Sequence, residues 1–116
     1  PLYVDEEGWT LIAPTETGPQ AYNPGGEIAM WRSEDQGTTW HKVRQLTHDS
    51  PRNHTYVRRP LNAHPGFYGL WADGNARAPS PSYLYFTNAA GAGVWRLPVE
   101  MTEGFRRPEA LPSPQS

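Results

Sequence analysis

The stretch Ser33-Glu34-Asp35-Gln36-Gly37-Thr38-Thr39-Trp40 decides the fold of this chain. It has the chemistry of a tight connection between two strands. Asp35 is suited to accept hydrogen bonds from backbone N–H groups of its own turn. Gly37 supplies the backbone freedom that such a turn needs. Ser33 and Thr39 are placed to bond across the hairpin. Trp40 is expected to begin the next strand and to pack as a large apolar anchor between sheets. A carboxylate beside hydroxyls could also suggest calcium binding or catalysis. The turn role accounts for Ser33, Asp35, Gly37, Thr39 and Trp40 together, so these five read as structural.

Outward from this turn, strands are expected at 27–32 before it and 40–47 after it. Upstream, 2–4 and 9–13 read as a hairpin closed at Gly8, followed by a loop over 14–26. Downstream the pattern recurs after a linker at 48–53, with strands at 54–61, 67–72, 83–87 and 94–97. Eight strands in two groups of four repeat at roughly 45–50 residues, the period of four-stranded propeller blades. The apolar runs Ile28-Ala29-Met30-Trp31 and Tyr83-Leu84-Tyr85-Phe86 predict sheets covered on both faces. The domain reading is therefore a blade at 1–48, a second at 54–98, and a loose tail at 99–116, where charge gives way to Pro and Ser.

Composition agrees with an all-β chain. Gly 11 and Pro 13 supply many turns, and no segment sustains a period of 3.6. Hydrophobic residues are only 36%, but Trp 5 and Tyr 6 bury much area each. Net charge is -2, which gives no basic excess for nucleic acid. No apolar run approaches the ~20 residues of a membrane-spanning helix. Cysteine is absent, which excludes disulfides and thiolate metal sites within this segment. The spacing of His41, His48, His54 and His64 fits no compact metal motif, so neither a metal nor a cofactor is expected.

At every fixed position Ser33 to Trp40 matches the Asp-box, Ser/Thr-x-Asp-x-Gly-x-Thr-Trp. Here the chain resembles the BNR-repeat propellers, which include sialidases and several polysaccharide lyases. A second likeness runs through Asn53-His54-Thr55-Tyr56-Val57-Arg58-Arg59-Pro60-Leu61-Asn62-Ala63, Phe67-Tyr68-Gly69-Leu70-Trp71-Ala72-Asp73-Gly74 and Val94-Trp95-Arg96-Leu97-Pro98. It is similar to the C-terminal part of the bacterial BNR-4-like proteins and to ulvan-lyase-like propellers. The resemblance implies two four-stranded antiparallel blades of a larger, sialidase-like propeller. The chain, which starts at Pro1, is then expected to be a piece of a longer protein. Its partners would be the remaining blades, or copies of itself, and a polysaccharide. An extracellular or periplasmic location is also implied only by the resemblance.

In such propellers the substrate lies near the innermost strand, the first of each blade. That places 54–61 at the centre. Strict alternation puts His54, Tyr56 and Arg58 on one side and Arg59 on the other. A lyase acting on a uronate-containing glycan needs a carboxylate-neutralising cation, a base and an acid. Arg58 suits the first role, and His54 and Tyr56 the others, so these three are the candidate catalytic set. Arg59 and the loop residue Tyr22 are the candidate substrate-binding residues. The alternative is a noncatalytic glycan-binding or structural propeller. A sialidase is less well matched, since Arg58-Arg59-Pro60 is not the Arg-Ile-Pro element of that family.

Overall fold

The computed structural model describes residues 1–100 and 103–112. The described chain is all-β, with no helix. Its first sheet contains β1 (Leu2–Val4), β2 (Trp9–Glu16), β3 (Glu27–Ser33) and β4 (His41–Gln45), hydrogen-bonded in that order. The second contains β5 (His54–Arg58), β6 (Gly69–Asp73), β7 (Leu84–Thr87), β8 (Val94–Arg96) and β9 (Glu109–Ala110), again in sequence order. Every pairing is antiparallel, so each sheet is a simple meander.

The two sheets share one core. Tyr3, Ile12, Ile28, Met30 and Leu46 meet Trp71, Tyr85 and Val94. Alternation explains this in β6, where Gly69, Trp71 and Asp73 are buried and Leu70 and Ala72 are half-exposed. Burying each large apolar side chain contributes about 1.5–3 kcal/mol, so neither sheet's inner face would be stable bare. The run Ile28-Ala29-Met30 is buried throughout. The outer faces are less covered than the apolar runs suggest: Leu2, Val4 and Leu84 are exposed.

The turn between β3 and β4 closes as its residues dictate. Asp35 accepts from the Ser33 hydroxyl, the Thr39 amide and the Thr39 hydroxyl. Ser33 Oγ in turn accepts from the Gly37 amide. Gly37 adopts φ 89, and a Cβ there would lie 2.8 Å from the Trp9 ring. Trp40 departs from expectation. It is 36% exposed, precedes β4, and turns its indole N–H back to the Gly37 carbonyl at 3.0 Å. Trp9, across the sheet, covers the turn in its place.

The tail differs too. Glu109–Ala110 pairs with β8 as Trp95↔Ala110 and Arg96↔Glu109, and the Leu111 amide bonds the Val94 carbonyl. The short edge strand β8 leaves unpaired backbone groups that β9 satisfies, and Leu111 then packs on the shared core. The rest of the expected tail at 101–102 and 113–116 lies outside the described residues.

Candidate functional site

A meander sends alternate connections to opposite ends. The β2–β3 loop, the β4–β5 linker and the β6–β7 loop therefore emerge together, away from the Asp35 turn. Buried Asn53 ties the first two. Its side chain donates to the carbonyls of Gln20, Asn23 and Pro24 and accepts from the Gln20 amide. Its own amide bonds the Gln20 side chain. Asn23 donates to Asn75, and Arg77 Nε donates to the Tyr22 carbonyl, which brings in the third loop. Gly26 and His54 exchange both backbone hydrogen bonds, which pins the start of β5 to the end of the β2–β3 loop.

Two larger cavities, with a smaller groove beside the first, border these loops. The first, about 420 Å³, is a polar groove lined by Asn23, Pro24, Tyr56, Asn75, Ser80 and Ser82, among others. Tyr56 also borders a smaller groove of about 240 Å³ with Pro14, Pro24 and Val57, so its ring stands between the two. Tyr56 is 70% exposed and sits at φ 54, a left-handed conformation that few non-glycine residues adopt. Tyr22 is exposed beside the first groove, with the Arg77 guanidinium 5.7 Å over its ring.

The second cavity, about 410 Å³, lies between the β4–β5 linker and the outer strands of the second sheet. Ser50, Arg52, His54, Tyr85, Arg96 and Leu111 are among its lining residues. His54 is 2% exposed and fully engaged. The Trp71 indole, a donor only, gives its N–H to Nδ1 at 2.9 Å. Nε2 then carries the proton and faces Ser50 Oγ at 2.9 Å. The Ser50 hydroxyl donates a hydrogen bond to the Glu27 carboxylate at 2.6 Å. Burial lowers the His54 pKa, opposed by the charges of Asp73 and Glu27. His54 is thus not a base for Ser50, because Nε2 donates to the hydroxyl rather than accepting from it. Tyr85 donates to buried Asp73 at 2.9 Å, and burial raises its pKa, with Asp73 adding to the shift.

The expected set His54, Tyr56 and Arg58 does not share a face. Thr55 pairs with Ala72 and Arg58 with Leu70, so β5 spends three residues where β6 spends two. This bulge inverts the alternation and leaves Arg58 on the face of Thr55, opposite His54. His54 lies in the second cavity and Tyr56 in the first. Arg59 stands elsewhere, with its guanidinium 5.0 Å over the Tyr3 ring. Tyr56 lines the first groove, and Tyr22 lies on the adjoining loop, next to the lining residue Asn23. Asn23, Asn53 and Asn75 were missed; Asn in a Pro/Gly-rich loop was their only signal. Among the described residues no three of His, Asp and Glu gather as metal ligands.

Comparison with family models, with curated proteins and with solved structures gives no match to this chain.

Proposed function

We propose that the chain forms two consecutive blades of a BNR-repeat propeller and that its loop end is a carbohydrate-binding face. The observation that carries this reading is Tyr56. An exposed aromatic ring held at φ 54, between two grooves, keeps a conformation that costs of order 1–3 kcal/mol. Strain of that kind, at a ring that contributes little burial, favours a recognition role. Flat rings such as Tyr56 and Tyr22 can stack on a sugar face, and Asn75, Ser80 and Ser82 offer hydrogen bonds to its hydroxyls.

The outer sheet faces fit further blades. Leu2, Leu11 and Trp31 align across the first sheet, and Leu70, Phe86 and Trp95 across the second. Binding is favoured over polysaccharide cleavage because both ring nitrogens of His54 are occupied and Arg58 lies on the other face. A lyase built on this chain would draw its acid and base from elsewhere. The test is titration of the chain with neutral and acidic oligosaccharides, read by calorimetry, alongside the ultraviolet absorbance of an unsaturated uronate product. Saturable binding without product supports the proposal. Product formation that depends on His54 restores the lyase reading, and neither signal removes the carbohydrate.

A further inference from the structure

The second cavity is built differently from the first groove, and a partly buried guanidinium lines it. Arg52 lines it with a side chain 19% exposed. A guanidinium has five N–H donors. Among the described residues, none of those on Arg52 makes a hydrogen bond, and its Nε is buried without a partner. Among the described residues its one ionic neighbour is Asp73, 3.6 Å away, and its guanidinium carbon lies 5.7 Å over the Tyr83 ring. That carboxylate already accepts from the Tyr83 amide and the Tyr85 hydroxyl. Largely buried guanidiniums are normally paired, because desolvating the charge without hydrogen bonds is costly.

The surroundings state what kind of acceptor would fit. Arg96, from β8, adds a second guanidinium, which Glu109 holds at 2.6 Å. Asp49 is the one carboxylate of the lining, against these two cations. Glu27 and Asp73 lie behind the wall, each already hydrogen-bonded by protein donors. The remaining lining combines an apolar part, Leu46, Pro51, Leu111 and Pro112 with the Tyr85 ring, with the polar Thr47, His48, Ser50 and His54. A volume of about 410 Å³ holds a small molecule.

We propose that this cavity is a binding site for a small carboxylate with a flat apolar body. The carboxylate pairs with the Arg52 fork, the geometry at which arginine exceeds lysine. The body packs against Tyr85, Leu46 and Leu111. The site is independent of the carbohydrate face, since none of Tyr22, Tyr56 and Asn75 lines it.

The probes are benzoate, benzamide and glucuronate, followed by amide chemical shifts in an isotope-labelled chain. Benzoate is expected to give saturable shifts over residues 46–54 and at Tyr85. Benzamide, which lacks the charge, is expected to bind about tenfold or more weakly, the scale of one charge-assisted pair. Glucuronate shares the carboxylate but not the apolar body, and it is also expected to be weaker. Arg52→Gln should weaken benzoate by a similar factor while Arg52→Lys recovers part of it. Leu111→Trp, at the rim, fills the cavity and should abolish the shifts even if Arg52 variants prove unstable. Equal binding of benzamide would overturn the anionic site, and equal or tighter glucuronate would overturn the apolar body. Benzoate shifts that persist in Leu111→Trp, or no saturable shift in the unaltered chain, would remove the site altogether.

Discussion

The indole N–H of Trp71 donates to Nδ1 of His54 across 2.9 Å, inside the core that joins the two sheets. This bond fixes His54 as the Nε2–H tautomer and couples packing to protonation. Trp71→Phe keeps an aromatic body but leaves Nδ1 buried without a donor, which is expected to cost about 1–3 kcal/mol. Urea unfolding at neutral pH measures it. A loss no larger than that of an exposed substitution would show that the bond is not a stabilising contact.

The same histidine gives the protein a pH dependence. Burial holds the folded pKa below that of an ordinary histidine. The unfolded chain therefore binds the proton more readily, and this contribution to stability falls as pH drops below about 6.5 toward the folded value. Stability measured from about pH 8 to pH 5 should decline on that limb, the range where an ordinary histidine titrates. His54→Gln should flatten it. An unchanged slope in that variant would assign the decline to other groups.

Asp35 predicts an effect at the acid end. The Thr39 hydroxyl and amide and the Ser33 hydroxyl hold its carboxyl down to about 2. A depressed carboxyl stabilises the fold above its ordinary range, and that contribution disappears as pH falls through the folded value. Asp35→Asn should lower Tm at neutral pH and narrow its gap from the unaltered chain as pH approaches about 2. Thermal scans across pH check both statements.

The meander was legible because strands, turns and their chemistry are local. Asp35 and Gly37 announced the β3–β4 turn, and the aromatic runs announced β3 and β7. The geometry of β5 was not legible. A bulge at Tyr56 leaves no pattern in Tyr-Val-Arg, yet it inverts the face of everything after it, so His54, Tyr56 and Arg58 were grouped on an alternation the backbone does not keep. The strand β9 was hidden for a related reason. Glu109-Ala110 has no strand propensity of its own, and it pairs because β8 offers a free edge. The loop end depends on Asn53, whose bonds to residues about thirty positions away no local reading contains.

Gly25 tests the joint between the two sheets. It adopts φ 86, and a Cβ there would lie 2.2 Å from the His54 carbonyl oxygen. The contact is with backbone, so it cannot relax by a rotamer change. Gly25→Ala is expected to destabilise by more than about 1 kcal/mol, from left-handed strain and the clash together. Gly104→Ala, with nothing within 4 Å, is the control and should be near neutral. Equal midpoints for the two variants in urea would mean that the β2–β3 loop does not close against β5 in solution.

Tyr56 separates stability from recognition. Its ring is 70% exposed, so deleting it removes little burial, while its φ of 54 penalises any side chain. Tyr56→Gly relieves that strain, partly offset by the greater freedom of glycine in the unfolded chain. The expected outcome is a chain as stable as the original or more stable by up to about 1 kcal/mol. Oligosaccharide binding should nevertheless fall at least about tenfold, the loss of one stacked ring. Tyr56→Phe keeps the ring and should retain most of the binding. Unfolding midpoints and the same calorimetric titration read both quantities. If Tyr56→Gly is clearly destabilised, the left-handed residue serves packing. If it is stable and binds as before, the exposed ring has no part in carbohydrate recognition.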